Sequence, residues 1–312
     1  MPTSSLSIRP ATLADAPAIT ELLNEIDRIE IGTPDTDLHT IESDLRHPEA
    51  DLKTDSWLAY DGDRLVAYGL LWDDSGAERI DIEHYVLPDH QETGQRVLRA
   101  MEARALAKAR SNGAARAVIH MALNTSPTTD TALLTEHGWH PVRRYHHLTR
   151  PLDPARDLAP EAPPGVSVRA CLTEEDQVRA HALDQLTFVD HFDHQARTYE
   201  QWLADLDTEL IDWSLVWIVS VDGLGDAGFL LGRNDLSSSA WVSGLGVVRE
   251  ARGRGLGGFL LRRAFAEFAS RGREKIGLGV DTANDTGAPQ LYGRHGMTVR
   301  YAVDTWETTV DG

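Results

Sequence analysis

The chain has 312 residues, 41% of them hydrophobic, which is enough for two domains with a core each. Its formal charge is −19, from 49 acidic residues against 30 Lys and Arg. This charge disfavours nucleic acid as a partner and favours a cationic substrate such as an amine. No segment resembles a signal peptide or approaches the roughly 18 apolar residues of a membrane span, so we expect a cytoplasmic protein without membrane contact. A lone cysteine, Cys171, excludes an intrachain disulfide and a cysteine metal cluster, and we expect it to be a core residue.

The sequence pattern of the first predicted elements recurs later in the chain. Residues 6–11 and 166–170 each predict a short strand that leads into a helix, and Ile8 and Val168 lie 160 positions apart. Two further landmarks keep nearly the same offset: Val86 and Val247 are separated by 161 positions, and Gly138 and Gly296 by 158. The sequence therefore predicts a duplicated domain.

The boundary between the two copies is predicted at residues 151–165. This segment contains five prolines, which cannot donate backbone hydrogen bonds and favour an extended linker. We therefore predict a first domain at 1–150, a proline-rich linker at 151–165 and a second domain at 166–312.

The second half predicts three hairpin-connected strands before its longest helix. The strands are predicted at 214–220, 227–232 and 240–247, and Asp222-Gly223 marks the first turn. Apolar residues from Leu260 to Phe268 then recur at helical spacing. The predicted fold class is α/β (α+β), with a mixed and mostly antiparallel sheet flanked by helices in each half.

A glycine-rich turn joins the strand at 240–247 to the helix. Its sequence is Arg252-Gly253-Arg254-Gly255-Leu256-Gly257-Gly258. Glycines allow close approach of the backbone, and the free N–H groups and dipole of a helix N-terminus favour an anion such as a pyrophosphate. A dinucleotide-binding fold does not fit, because the turn follows predicted antiparallel strands rather than an early βαβ unit. A P-loop does not fit either, since no Gly-Lys-Ser/Thr follows.

Residues 245–257 resemble the acyl-CoA motif of the GNAT acetyltransferase superfamily, and residues 281–297 are similar to the next strand and helix of that family. The duplicated layout resembles tandem actinobacterial members related to mycothiol synthase. The resemblance implies that backbone amides near Val247 and Val248 bind the thioester and pantetheine arm of acetyl-CoA. It also implies that the turn from Arg252 to Gly258 holds the pyrophosphate and that Asn284 contacts the cofactor arm. Tyr292 would protonate the departing thiolate.

The general base is not assigned by this pattern. An alkylamine is almost fully protonated at pH 7, and its deprotonation costs roughly 4–5 kcal/mol. Many relatives carry a glutamate on the strand before the motif, where this chain offers only Trp241 and Ser243. Four residues remain candidates for the base: Asp190, His191, Asp193 and Asp281.

The first half predicts a degenerate copy of the site. Its turn at 91–96 carries Glu92 where a pyrophosphate would lie, and Leu134 takes the place of the tyrosine. Its histidines are irregularly spaced, which does not suggest a metal site. We expect one acetyl-CoA-dependent N-acyltransferase site without metal, acting on a primary amine of a small molecule or peptide. The alternatives are a CoA-binding regulatory module without turnover and a longer acyl donor; the acceptor and the oligomeric state are left open.

Overall fold

The computed structural model describes residues 6–192, 194–206, 211–234, 239–283 and 286–312. The chain forms two compact units, which we call unit 1 (Met1–Arg144 with Tyr301–Gly312) and unit 2 (Tyr145–Arg300). Within the described ranges no helix is both long and apolar enough to cross a membrane. No three His, Cys, Asp or Glu side chains in these ranges come together as metal ligands.

The secondary structure is numbered here in chain order. The strands are β1 Leu6–Arg9, β2 Ser56–Asp61, β3 Arg64–Trp72, β4 Arg79–Val86, β5 Arg116–Asn124, β6 His140–Pro151, β7 Val166–Ala170, β8 Val216–Val221, β9 Gly225–Arg233, β10 Ala240–Val247, β11 Lys275–Asp281 and β12 Thr298–Asp311. The α-helices are α1 Ala16–Glu30, α2 Leu38–Asp44, α3 Leu52–Asp55, α4 Gln91–Ser111, α5 Thr131–Glu136, α6 Glu174–Phe188, α7 Tyr199–Asp205, α8 Leu256–Ser270 and α9 Ala288–Arg294. Short 3-10 helices lie at Leu13–Asp15, Pro88–His90, Trp213–Leu215 and Arg249–Ala251.

The sheet of unit 1 has the order β1-β2-β3-β4-β5-β12. Only the β4–β5 pair in this order is parallel, and the others are antiparallel. One face packs on α4 through a core that includes Val97 and Met101. The opposite face packs on α1 and α2 through a second core that includes Ile19, Ile41 and Tyr68.

The sheet of unit 2 has the order β7-β8-β9-β10-β11-β6. Strands β10 and β11 are parallel, and the remaining neighbours are antiparallel. Helices α6 and α8 cover opposite faces: a Cβ at Gly246 would meet Thr187 of α6, whereas one at Gly232 would meet Phe268 of α8. The predicted fold class, with a mixed and mostly antiparallel sheet flanked by helices in each half, is confirmed.

The last strand of each half of the sequence pairs with a strand that comes from the other half. Residues 145–151 of β6 pair with β11 in unit 2, and residues 303–311 of β12 pair with β5 in unit 1. The division at 144/145 and 300/301 therefore differs from the boundaries at 150 and 166 that the prolines suggest. The physical reason is that both strands are long and follow equivalent short helices, so local sequence does not specify which sheet edge each one joins.

Candidate functional site

Unit 2 contains a large cleft where β10 and β11 separate. The two strands pair only from Ala240 to Val242 with Ile276 to Leu278, and a β-bulge then interrupts the register of β10 between Val242 and Gly244. A bulge bends its strand and ends regular pairing on that edge. The resulting cleft has a volume of about 790 Å³ and reaches the beginnings of α8 and α9.

The open edge of β10 directs backbone groups into this cleft. The Val248 N–H donates to the Ala227 carbonyl at 2.9 Å, so that amide belongs to the ladder with β9. Because backbone groups alternate sides along an antiparallel strand, the amides of Val247 and Leu245 face the cleft. The Nε of Arg252 donates to the Val247 carbonyl at 3.2 Å, in agreement with this alternation. Of the two amides implied for thioester and pantetheine binding, the structure thus places Val247 in the cleft and Val248 in the sheet.

The glycine-rich turn closes one end of the cleft. Gly253 and Gly255 have φ values of +74° and +78°, and Gly255 caps α8 without any side-chain hydrogen bond. The first N–H groups of a helix have no partner inside it, so the amides at the start of α8 are available to an anion. A Cβ at Gly257 would lie 3.2 Å from Leu291, and one at Gly258 would lie 3.1 Å from His295. These two glycines therefore also let α9 pack closely on α8.

The rim of the cleft is basic although the chain as a whole is acidic. Arg252 and Arg294 line the cleft, and Arg254 is exposed beside it on the same turn. Leu256 also lines the cleft, where it contributes an apolar side chain. Arginine side chains can bind phosphate oxygens through two N–H groups at once. The turn therefore combines free amides with cationic side chains, which suits a polyphosphate.

Tyr292 lies on α9 and lines the cleft. It is only 6% exposed, and this burial raises the pKa of its phenol to about 12. The phenol is therefore protonated throughout the neutral and mildly alkaline range. It can donate a hydrogen bond into the cleft but cannot serve there as a base.

The candidate bases are placed differently from one another. His191 lines the cleft, with its ring centroid 4.4 Å from that of Phe188. Asp281 also lines the cleft; it is 6% exposed and accepts the Ala283 N–H at 2.9 Å. Asp190 does not line it, because its side chain is 73% exposed and pairs with Arg249 at 3.3 Å.

Two predicted site residues cannot be located in this way. Asp193, a candidate base, and Asn284, implied to contact the cofactor arm, lie outside the described residues. Both therefore stay predictions from the sequence.

Tyr145 is a cleft residue that sequence reasoning missed. It lies on β6 directly opposite Asp281 of β11, and its side chain lines the cleft. Opposed residues of an antiparallel pair share a face, so Tyr145, Asp281 and Gly279 lie on one side of the strand pair. The signal that could have found Tyr145 is the length of the strand at 140–151, which continues up to the first proline of the linker.

Comparison with known proteins relates unit 2 to a protein family. Residues 177–297 match the model of the acetyltransferase (GNAT) family. Unit 2 contains a GNAT domain. A mycothiol acetyltransferase from Beutenbergia cavernae is 33% identical over 171 residues, which are 52% of this chain and 57% of that protein. The matched part thus spans little more than half the length of this relative.

Solved structures extend the GNAT likeness over the whole chain. A GCN5-related N-acetyltransferase from Sphaerobacter thermophilus superposes with a TM-score of 0.81 at 26% identity, over 98% of this chain and 96% of that one. A tandem GNAT protein from the clavulanic acid biosynthesis pathway gives a TM-score of 0.71 at 17% identity, over 98% of both chains. The second likeness concerns the fold alone. The resemblance to tandem members of the GNAT family is confirmed.

At the equivalent place in unit 1, the described residues enclose only a small cavity. Residues 91–96, predicted as a turn, form the beginning of α4, because no glycine with positive φ interrupts the helix there. The side chain of Gln91 fills this end of the helix by donating to the Thr128 carbonyl at 3.0 Å and accepting the Asp130 N–H at 2.9 Å. The cavity beside it is about 20 Å³, and Leu134 is buried in its wall.

Proposed function

We propose that unit 2 transfers the acetyl group of acetyl-CoA to a primary amine of a small molecule or peptide, acting in the cytoplasm as the sequence leads us to expect. One observation carries this proposal: the cleft that opens between β10 and β11 ends at the N-terminus of α8, which no side chain caps. Acetyl-CoA is a long thioester arm attached to a pyrophosphate, and such a molecule needs a strand edge followed by an anion site.

The residues of the cleft fit this co-substrate in order along the chain. The amides of Leu245 and Val247 would hydrogen-bond the arm in the manner of a missing strand. The amides from Gly253 to Gly258 would bind the pyrophosphate, with Arg252 and Arg254 at its charged oxygens. This positive rim offsets locally the net charge of −19 that would otherwise repel the phosphates.

The acceptor would enter on the side of Tyr145 and Asp281. In this proposal Asp281 holds the ammonium form of the acceptor, and His191 accepts the proton that this ammonium loses before its nitrogen attacks the thioester carbon. Acetyl-CoA supplies the activated acyl carbon; the C–N bond forms as the C–S bond breaks. Tyr292 donates a hydrogen bond to the sulfur as negative charge develops there. The amide nitrogen loses its second proton, the sulfur gains one, and one proton in total passes to solvent.

Thiol release tests this function. Purified protein with acetyl-CoA and a panel of primary amines should release free CoA at a rate that depends on the amine, with the acetylated amine found by mass spectrometry. Calorimetry should show acetyl-CoA binding at one site per chain. Binding without turnover against any amine would support the regulatory alternative, and absence of binding would contradict both.

A change at Gly279 should separate acceptor binding from acetyl-CoA binding. No atom lies within 4 Å of the position that a Cβ would occupy there, so a larger side chain would extend into the acceptor side of the cleft. We expect Gly279→Leu to raise the KM for the amine about tenfold or more and to leave the Kd of acetyl-CoA within about twofold, since each unfavourable kcal/mol costs roughly a factor of five. Steady-state kinetics and calorimetry measure the two quantities.

Gly293→Leu is the matched control for that change. Gly293 also has open space at its Cβ position, but it lies on α9 and does not line the cleft. It should leave the KM for the amine unchanged. Equal effects of the two leucines on both ligands would contradict the assignment of the acceptor side.

A further inference from the structure

The acceptor side of the unit 2 cleft has a glycine floor on β11. Gly277, Gly279 and Asp281 alternate with buried apolar residues, so the three lie on one face of the strand. A Cβ at Gly277 would lie 2.5 Å from the Trp241 ring, which therefore already covers the first glycine. Gly279 is exposed and lines the cleft, and no atom of the described residues lies within 4 Å of its Cβ position. The open part of the floor thus lies at Gly279, between the Trp241 ring and Asp281.

Aromatic side chains border this open position. His147 of β6 lies directly opposite Gly279, and its ring centroid is 5.6 Å from that of Trp241, with the planes at 39°. Tyr145, on the same strand as His147, is the diagonal neighbour of Gly279 and lines the cleft. Each of these three rings is only half-buried. They therefore keep surface that a further ring can cover.

Helix α6 covers the same face of the sheet. Gly232 faces α8, because a Cβ there would meet Phe268. Its partner Val242 shares that face, so the preceding Trp241 points to the opposite face, where α6 packs. Phe188, the last residue of α6, is half-buried and lines the cleft. The helical wall of the cleft thus adds another aromatic side chain to those that border the floor.

The carboxylate and the open floor are separated along β11. Gly279 and Asp281 are two residues apart, a distance of about 7 Å in a strand. In the proposed transfer Asp281 holds the ammonium of the acceptor, so the part of the acceptor next to its amine extends over Gly279. An ethyl spacer followed by a flat ring covers this distance. A flat ring also suits a floor made by glycine, because it can approach the backbone closely.

We propose that the acceptor of unit 2 is an arylalkylamine with a short spacer between its ring and its amine. The ring would lie on Gly279, with the Trp241 and His147 rings at one side and Tyr145 at the other. A plain alkylamine would leave the exposed parts of these rings in water. The inference rests on the proposed acetyl transfer for the role of the amine, whereas the ring site depends on the floor and its aromatic border alone.

Calorimetry of the full chain with 2-phenylethylamine tests the ring site without turnover. This amine should bind saturably, about tenfold or more tighter than butylamine and about threefold or more tighter than 2-cyclohexylethylamine. The cyclohexyl compound has a ring of similar size without π electrons, so it separates aromatic contact from apolar burial. Equal affinities of the three amines, or no saturable binding of any of them, overturn the proposal.

Thiol release distinguishes this outcome from a failure of acetyl transfer. The kcat/KM for 2-phenylethylamine should exceed that for butylamine about tenfold or more. Turnover of both amines without this preference leaves acetyl transfer in place and overturns the ring site. Preferential binding of 2-phenylethylamine without release of CoA supports the ring site and contradicts the transfer.

Variants locate the ring on the floor. Trp241→Leu should reduce the preference for 2-phenylethylamine over butylamine to about twofold or less. Trp72→Leu is the matched control and should keep the preference, because Trp72 is also half-buried and its ring centroid lies 5.6 Å from that of a histidine, His47, in unit 1. If Trp241→Leu does not fold, Gly279→Val decides in the same way, since it places a branched side chain on the floor at a position without positive φ. An unchanged preference in either cleft variant overturns the proposal.

Discussion

Replacement of Gly255 by glutamate should weaken acetyl-CoA binding about 100-fold or more. Gly255 lines the cleft at the N-terminus of α8, with no atom within 4 Å of its Cβ position. A carboxylate there would lie beside the bound pyrophosphate. Two like unit charges about 5 Å apart repel by roughly 3 kcal/mol at an effective dielectric constant of about 20, which alone corresponds to about two orders of magnitude. Isothermal titration calorimetry with acetyl-CoA measures the change.

Backbone strain must be separated from this charge effect. Gly255 has a φ of +78°, a conformation that costs a residue with a side chain roughly 1–2 kcal/mol. Gly272 has a φ of +77° and the same open space, but it follows the opposite end of α8. Gly272→Glu therefore introduces the same strain and the same charge away from the cleft, and it should leave the Kd unchanged. A similar loss of affinity in both variants would contradict a pyrophosphate site at Gly255.

The local features of unit 2 could be predicted from the sequence because they depend on near neighbours in the chain. The strand predicted at 240–247 coincides with β10, and the helix predicted through Phe268 lies inside α8. The alternation of side chains in a strand, the spacing of apolar residues in a helix and the glycines of a turn can each be recognised within about twenty residues of sequence. The turn predicted at 91–96 in the first half was wrong, because no glycine with positive φ interrupts α4 there.

The contribution of Tyr145 could not be predicted in this way. Its place in the cleft depends on pairing between β6 and β11, whose partners lie more than 120 positions apart in the chain. Both β6 and β12 have sequences that would satisfy a sheet edge, and nothing local distinguishes the two choices. The duplicated domain thus has its last strands assigned by tertiary pairing, and the place of Tyr145 in the cleft follows from that choice.

Val247 and Val248 show a second limit on what can be predicted from the sequence. The sequence identifies the strand end that borders the cleft, but one residue of register decides which amide points into the cleft. The β-bulge after Val242 and the bond from Val248 to Ala227 fix that register, and neither leaves a sequence pattern that distinguishes it from a regular strand. Side-chain chemistry was therefore easier to predict than the direction of single backbone groups.

Loss of the Tyr292 hydroxyl should lower kcat about 100-fold while leaving the Kd of acetyl-CoA nearly unchanged. General acid assistance and hydrogen bonds to a leaving group contribute roughly 10²–10⁴-fold, and a factor of 100 corresponds to about 2.7 kcal/mol. Tyr292→Phe keeps the buried ring that packs in the core of unit 2, so the change removes the donor and little else. Single-turnover thiol release measures the step, and calorimetry checks binding.

The pH dependence of the Tyr292→Phe enzyme identifies what the phenol does. Because burial raises the pKa of Tyr292 to about 12, it is protonated at every pH of a practical assay, and its loss should lower the rate by the same factor from about pH 6 to 9. The fall in kcat/KM at low pH should persist in the variant, because the phenol is not the group that removes the proton of the amine. Tyr199→Phe is the matched control, since it removes a phenol that donates to Gln177 at 3.2 Å outside the cleft, and it should leave kcat unchanged. If the acidic limb of the profile disappears with Tyr292, the phenol takes part in proton removal from the amine, and its proposed place beside the sulfur is wrong.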